Sequence, residues 1–172
     1  MRNLQLCKGL AISNAPRANA SRYVTGFTPM ARVNGVALIR TPAPNACLTS
    51  GFGMRNGRAH KGIDLQSKPS GPVVAAGRGT IVEARYRDDF GRYVLIDHGN
   101  NVYTRYAHLA SYGAGVQEGR TVSRGQKLGQ MGNTAAYRIP VHLHYEVLTG
   151  NYGTPKKSFG LVAVDILRAP SY

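Results

Sequence analysis

The sequence predicts an all-β protein built on a small, largely antiparallel sheet. Its 172 residues include 21 glycines and 9 prolines, which favour turns and short strands over long helices. Short runs of β-type residues alternate with turn signals, and no stretch has the periodicity of a long amphipathic helix. The clearest strand predictions are PVVAA (72–76), TIVEARYR (80–87), RYVLID (92–97), VYTRYAHL (102–109), KLGQM (127–131) and VHLHYEVL (141–148).

Turn residues separate these runs in chain order. The glycines of GRGTIVEA and RGQKLGQMG supply tight turns, so each segment predicts a hairpin. HGNN (98–101) lies between two predicted strands and is typical of a hairpin loop. The tail GTPKKSFGLVAVDIL (153–167) gives no strand that the pattern can place.

The chain changes character near residue 36, which suggests two regions. Residues 1–35 are rich in Ala, Asn, Arg and Ser with little periodicity, and we expect an irregular N-terminal arm. Residues 36–172 are expected to form one domain, since the length suits a single core. No run of about 18 uncharged apolar residues predicts a membrane span, and the N-terminus shows no apolar segment typical of a signal peptide.

The formal net charge of +14 predicts attraction to a polyanion. Nucleic acid, an anionic membrane and an acidic cell-wall polymer all satisfy this condition. Helix-turn-helix, zinc-finger and RRM-type patterns are not found, so nucleic acid is not the expected partner. The two cysteines, Cys7 and Cys47, fit no CxxC metal pattern; one disulfide and two unrelated thiols remain equally open.

The segment VHLHYEV (141–147) places two histidines in an apolar run. Strand side chains alternate between faces, so His142, His144 and Glu146 share one face while the apolar residues between them pack on the other. Two imidazoles about 7 Å apart along one strand can reach a common site. This face is therefore a candidate functional surface.

A second candidate pattern is HKGID, in which His60 and Asp64 are four residues apart around Gly62. Histidine and aspartate are both zinc ligands. The spacing alone is a weak signal, but together with the two histidines of VHLHYEV it predicts a metal site. Two histidines and one aspartate would leave a fourth zinc position open, as catalytic sites do.

Two other histidines lie in predicted strands or turns. Strict alternation places His108 on the same face as Tyr106 and Thr104, and without a ligand-spaced partner it suits an acid or base role. His98 could be a ligand, but a turn histidine satisfied by backbone groups is the favoured interpretation.

Six segments follow one another in the chain: SGFGMR…HKGIDL, VVAAGRGTIVEA, RYVLIDHGNN, YTRYAHL, VSRGQKLGQMGNT and VHLHYEV. In sequence and in order they resemble the lysostaphin/LytM-type zinc peptidases, and the resemblance covers about residues 36–148. The resemblance implies a β-sheet groove with one zinc ion on its floor. It implies His60, Asp64 and His144 as the ligands and His108 with His142 as the catalytic pair. Glu146 either orients a histidine or pairs with an arginine.

The resemblance further implies hydrolysis of peptide crosslinks in peptidoglycan stems, by a monomer in the periplasm or cell envelope. Met54 stands where the lysostaphin branch often has tyrosine, which favours D-alanyl–diaminopimelate bonds over glycine bridges. Ala135 and the inserted Val141 depart from the family pattern in the loop beside the metal. A catalytically silent wall-binding or amidase-activating module and a basic nucleic-acid-binding protein are the alternatives. Family members also suggest that residues 1–35 cover the groove.

Overall fold

The computed structural model describes residues 2–9, 13–153 and 160–172, which contain fourteen β-strands and no α-helix. Every ladder between these strands is antiparallel, so the predicted fold class is confirmed. The strands are β1 Met30–Val33, β2 Val36–Ile39, β3 Cys47–Ser50, β4 Gly53–Arg55, β5 Arg58–His60, β6 Ile63–Gln66, β7 Pro72–Val74, β8 Gly79–Arg87, β9 Gly91–Asp97, β10 Val102–Tyr112, β11 Thr121–Val122, β12 Lys127–Met131, β13 Leu143–Thr149 and β14 Val162–Val164.

Ten of the described strands form one sheet. Its main path runs β11–β8–β9–β10–β13–β6–β3, with β12 joining β10 to β7 and β14 pairing with β13. The hairpins β1–β2 and β4–β5 lie outside this sheet. All six strands predicted from the sequence are present, and the HGNN loop joins β9 to β10 as predicted.

The two faces of the sheet have different roles. Leu143, Tyr145 and Val147 of β13 point into the main apolar core, where all three are buried. His144 and Glu146 point to the opposite face, where a smaller apolar cluster covers part of the sheet. The predicted division of β13 into a packed face and an opposite face that carries His144 and Glu146 is confirmed.

The sheet divides along β10. Residues Val102–Ala107 of this strand pair with β13, whereas Leu109–Tyr112 pair with β12, and β9 remains on the other side. The change of neighbour occurs at His108, where the register shifts. A fork between β12 and β13 therefore opens beside this histidine.

The N-terminal segment lies against the edge of the main sheet. Its described residues upstream of β1 form isolated bridges rather than strands, including a parallel bridge between Leu6 and Leu48 of β3. Cys7 and Cys47 form a disulfide with their Cα atoms 4.9 Å apart, which decides the alternative that the sequence left open. The β1–β2 hairpin spans the change in composition near residue 36.

The tail contributes one strand that sequence analysis did not place. In β14, Val162–Val164 pairs with β13 and extends the sheet beside it. Residues 154–159 of the tail lie outside the described residues. The described part of the chain contains no helix with the length and apolar character required to cross a membrane.

Candidate metal centre

Three potential metal ligands from different strands converge at one point. His60 ends β5, Asp64 lies in β6, and His144 lies directly opposite Asp64 in β13. The Nδ1 of His144 is 2.9 Å from Asp64 Oδ1, and the Nε2 of His60 is 3.2 Å from both Asp64 Oδ2 and His144 Nδ1. The structure thus brings together the three residues that the sequence proposed as ligands, although 80 residues separate Asp64 from His144.

The donor atoms have the spacing of a zinc site. Ligand atoms in a tetrahedral zinc site, with bonds of about 2.0–2.2 Å, lie roughly 3.4 Å apart. The observed separations are 2.9 and 3.2 Å, and the side chains of His60, Asp64 and His144 are only 6%, 9% and 12% exposed. The two imidazole nitrogens and the Asp64 carboxylate therefore fit a single zinc ion, and three protein ligands leave its fourth position available.

The close approach of Asp64 to His144 depends on Gly62. A Cβ added at Gly62 would overlap the carbonyl oxygen of Tyr145 in β13. A larger residue would force β6 away from β13, since the conflict is with backbone rather than with a flexible side chain. The glycine of HKGID therefore allows His60 and Asp64 to reach the same point as His144.

Hydrogen bonds determine which ring nitrogen of His60 and of His144 faces the centre. His60 donates Nδ1–H to the carbonyl oxygen of Gly51 at 2.6 Å, which leaves its Nε2 lone pair towards Asp64. His144 presents Nδ1 to Asp64 and its Nε2 to the Glu146 carboxylate at 2.9 Å. A carboxylate on the outer nitrogen of a metal-binding histidine fixes the ring orientation and raises its basicity.

The charges of Asp64 and His144 are strongly coupled. Burial alone would raise the pKa of Asp64, but hydrogen bonds with His144 and His60 hold it well below its usual value. Burial lowers the pKa of His144, yet the carboxylates of Asp64 and Glu146 on its two nitrogens raise it to about 9. Without a metal, His144 is an imidazolium at neutral pH, and a cation bound at Nδ1 takes the place of one proton.

Two further imidazoles lie beside the three ligand groups. The ring centroids of His108 and His142 are 4.8 Å apart, and that of His108 is 6.2 Å from that of His144. The Nε2 of His142 is 3.8 Å from Asp64 Oδ1. All five residues proposed from the sequence for metal binding and catalysis, four histidines and Asp64, therefore lie in one site.

Both of these imidazoles are held by backbone carbonyls. His108 donates Nδ1–H to Thr134 O, and His142 donates Nδ1–H to Pro140 O, each at 2.8 Å. Each ring therefore keeps Nε2 as a hydrogen-bond acceptor. Burial lowers the pKa of His108 to about 4, against the raising effect of the Thr134 bond, so this imidazole is neutral at pH 7.

The prediction of the strand face on which the His108 side chain lies is wrong. Strict alternation placed it with Tyr106 and Thr104, whose hydroxyls hydrogen-bond each other at 2.8 Å inside the protein. In the structure His108 has a left-handed backbone, with φ of +65°, at a register shift in β10. This irregularity turns the side chain away from Tyr106 and towards His142.

His98 is not part of the site. It donates Nδ1–H to Arg78 O at 2.8 Å, and its Nε2 lies 2.6 Å from the Thr104 hydroxyl. Both nitrogens are thus satisfied by neighbouring groups, and burial lowers its pKa. The favoured interpretation of His98 as a structural turn histidine is confirmed.

A cavity of about 750 Å³ surrounds the five residues. We call this cavity the groove. Its lining includes residues of the N-terminal segment and β3 and residues of the β8–β9 turn and the loop before β13. Besides the five site residues, it is lined by Cys7, Lys8, Gly9, Thr49, Ser50, Arg55, Gln66, Asp89, Phe90, Tyr137, Ile139 and Pro140.

The sequence pattern of the family described as "Peptidase family M23" matches residues 58–156, more than half of the chain and a range that includes all five site residues. The chain belongs to peptidase family M23. The resemblance stated from the motifs is thereby confirmed, and the family consists of zinc metallopeptidases.

Several curated relatives are described as peptidoglycan DD-endopeptidases. The chain is 43% identical over 89 residues to peptidoglycan DD-endopeptidase ShyA of Vibrio cholerae, covering 52% of this chain and 20% of ShyA. It is 34% identical over 119 residues to DD-endopeptidase ShyC of the same organism, covering 65% of this chain and 27% of ShyC. The chain thus spans about a fifth to a quarter of the length of these relatives.

Solved M23 structures share the fold. A zinc-containing peptidase from V. cholerae superposes with a TM-score of 0.64 and 28% identity, over 81% of this chain and 45% of the other. The catalytic domain of lysostaphin from Staphylococcus simulans superposes with a TM-score of 0.58 and 28% identity, over 70% of this chain and 89% of that domain. The β-sheet fold implied by the motifs is confirmed.

Glu146 satisfies both interpretations that the sequence left open in this M23 domain. One carboxylate oxygen faces His144 Nε2, and the other pairs with Arg105, which lies directly opposite in β10. The guanidinium of Arg105 also stacks over the Phe90 ring, 4.4 Å from its centroid. A buried row of groups therefore runs from Asp64 through His144 and Glu146 to Arg105.

The sequence motifs did not point to Arg105 or to the carbonyls of Gly51 and Thr134. The signal for Arg105 was present, because pairing β10 with β13 places this residue opposite Glu146. Backbone carbonyls carry no residue-type signal, so the anchors of His60 and His108 were not recoverable from the sequence. Their recognition required the tertiary structure.

Proposed function

We propose that this protein is a zinc-dependent endopeptidase that cleaves D-alanyl–diaminopimelate crosslinks of peptidoglycan. In this proposal His60, Asp64 and His144 hold one zinc ion, while His108 and His142 are catalytic residues. The observation that carries the proposal is the convergence of two imidazole nitrogens, 3.2 Å apart, on the two oxygens of one carboxylate, at 2.9 and 3.2 Å, with two carbonyl-anchored imidazoles beside them.

Bound zinc would supply Lewis acidity, which polarises the scissile carbonyl and acidifies a water molecule. The chain's own residues would manage the protons. Because His108 and His142 each donate Nδ1–H to a backbone carbonyl, each has Nε2 available to accept a proton from the attacking water. One of them would return the proton to the leaving amine, while the other would hydrogen-bond the oxyanion in its imidazolium form, donating Nε2–H.

The substrate assignment rests on two observations. Curated relatives from V. cholerae carry the description DD-endopeptidase. Met54 of β4, which is 62% exposed, occupies the sequence position at which a tyrosine is typical of the glycine-bridge branch. The Cys7–Cys47 disulfide supports an oxidising location such as the periplasm or cell envelope.

Two substitutions test the roles of the histidines. His144→Ala removes a ligand, so the purified protein should lose both zinc and activity. His108→Ala should retain one zinc per chain and lose turnover by about 10²–10⁴, the usual contribution of an acid–base group. Zinc content is measured by elemental mass spectrometry. Activity is measured as the muropeptides released from purified sacculi with and without chelator.

The same digestion separates the proposal from its alternatives. A catalytically silent wall-binding module would sediment with sacculi but release no muropeptide. A nucleic-acid-binding protein would bind DNA with a steep dependence on salt and need no metal. Release from sacculi with glycine bridges, but not from sacculi with direct diaminopimelate crosslinks, would contradict the bond assignment.

A further inference from the structure

The N-terminal segment is a fixed wall of the groove. Its backbone runs beside the edge strand β3, where Leu48 N–H donates to Gln5 O at 2.8 Å and Cys7 N–H donates to Leu48 O at 2.9 Å. The disulfide between Cys7 and Cys47 fastens the same point covalently. Residues 7–9, which follow this attachment, line the groove.

A second attachment ties this segment to a residue of the metal centre. Asn14 donates its side-chain N–H to Gly51 O at 2.6 Å and accepts the Gly51 N–H on its own oxygen at 3.1 Å. The same Gly51 carbonyl accepts the Nδ1–H of His60 at 2.6 Å. The segment is therefore built into the support of His60 rather than lying loosely over the site.

This wall brings a positive charge to the groove. Apart from the histidines, Lys8 and Arg55 are the basic residues among the described residues that line it. Arg55 is already engaged, since it donates to Asp64 Oδ2 at 3.1 Å and to Ser50 Oγ at 3.0 Å. Lys8 is exposed and forms no ion pair within the described parts of the chain.

We propose that Lys8 binds a carboxylate of the peptide substrate and that the N-terminal segment is a specificity-determining wall. This inference rests on the proposed function. In a D-alanyl–diaminopimelate crosslink, the carbon that bears the acylated amine also bears a free carboxylate. A peptide placed with its scissile bond at the metal centre therefore carries a negative charge close to that bond, and the ammonium of Lys8 is its partner in the groove.

This role differs from that of a cover. A cover over the groove would inhibit, so its removal would raise activity. A wall that binds the substrate has the opposite consequence, because losing it weakens substrate binding. Lys8→Met tests the difference without deleting the segment and without disturbing a buried side chain.

The experiment compares two crosslinked peptides that differ only at the diaminopimelate carbon, one with a free carboxylate and one with a carboxamide. For the full chain loaded with zinc, Lys8→Met should raise KM for the carboxylate peptide by about tenfold with little change in kcat. Its KM for the amide should stay within about twofold of that of the unmodified chain. Lys8→Arg should restore most of the preference for the carboxylate.

Lys127→Met is the matched control, because Lys127 is exposed on β12 and does not line the groove. It removes the same charge and should leave both KM values unchanged. An equal effect of Lys127→Met and Lys8→Met would attribute the change to net charge and overturn the proposal. So would an equal rise in KM for both peptides, or no rise for either.

A binding measurement separates this inference from the proposed function. The dissociation constants of the labelled carboxylate and amide peptides are measured by fluorescence anisotropy with the His108→Ala variant, with and without Lys8→Met. If the chain cleaves neither peptide, the proposed function fails, but a Lys8-dependent preference for the carboxylate still supports the inference. Absence of that preference, or no binding of either peptide, overturns it.

Discussion

Arg105 offers the sharpest test of how the metal centre is supported. Its guanidinium pairs with the Glu146 carboxylate directly across the β10–β13 ladder, and both side chains are 5% exposed. Glu146 in turn contacts His144 Nε2 at 2.9 Å. Replacing Arg105 with methionine keeps much of the side-chain volume but leaves the buried Glu146 carboxylate with only a share of the His144 charge, which Asp64 also contacts.

The expected cost follows from this burial. Removing one partner of a buried ion pair typically costs about 3–5 kcal/mol, because the remaining charge is stranded away from water. Burial raises the pKa of Glu146, while the hydrogen bond and charge of His144 and the charge of Arg105 bring it below its usual value. Without the positive charge of Arg105, the pKa of the Glu146 carboxyl rises because burial disfavours its charged form. The penalty is therefore largest well above this raised pKa and shrinks as the pH falls through it.

Denaturant unfolding of the metal-free protein at pH 8 and pH 5 measures this penalty. Arg105→Met should lower the free energy of unfolding by about 3–5 kcal/mol at pH 8 and by less at pH 5. Adding Glu146→Gln should recover much of the loss, since the stranded charge is then gone. Zinc affinity, measured by chelator competition, should fall about 10–100-fold in Arg105→Met because the support of His144 is weakened.

Arg168→Met is the control, because Arg168 is 90% exposed and its nitrogen lies 3.8 Å from Asp165. An exposed pair of this kind is worth about 0–1 kcal/mol, so this variant should unfold nearly like the unmodified protein. The reasoning is refuted if Arg105→Met costs no more than Arg168→Met, or if Glu146→Gln deepens the loss instead of relieving it.

Three further outcomes are expected. The pKa of His108 is lowered to about 4 in the folded protein, whereas in the unfolded chain the imidazole takes up a proton below about pH 6.5. The free energy of unfolding should therefore fall as the pH drops from 6.5 to 4. His108→Gln should flatten this dependence, as measured by urea titrations at several pH values. Cys47→Ser removes the disulfide between residues 40 positions apart and should lower the free energy of unfolding by about 4 kcal/mol, as measured by denaturant unfolding. Reductant should not destabilise this variant further, and an equal further loss on adding it would contradict the prediction. Gly91→Ala places a Cβ against the carbonyl of Thr134 at a position with a left-handed backbone. The variant should lose at least about 1–3 kcal/mol of the free energy of unfolding. Because the same carbonyl accepts the His108 Nδ1–H, turnover should also fall while the zinc content stays unchanged.

The sequence was most informative where a strand is regular. Alternation along β13 correctly assigned His144 and Glu146 to one face and Tyr145 to the other, because an undistorted strand has a period of two residues. It did not reveal which segment lies beside each strand edge, since pairing partners are set by long-range packing. The parallel bridge of Leu6 with β3 and the addition of β14 to β13 are both of this kind.

His108 shows why the side-chain geometry of the candidate site was harder to predict than the strands. If β10 were regular, the His108 side chain would point with Tyr106 towards the packed side of the sheet. From that side an imidazole could not reach the metal centre. The left-handed backbone at His108 costs about 1–3 kcal/mol in a non-glycine residue, and glycine, the usual sequence sign of such a conformation, is not present. Two bonds offset the cost, because its N–H donates to Phe90 O and its Nδ1–H to Thr134 O, each at 2.8 Å. At the same irregularity β10 changes its neighbour from β13 to β12, so the fork between these strands and the turn that directs the imidazole beside it are one structural feature.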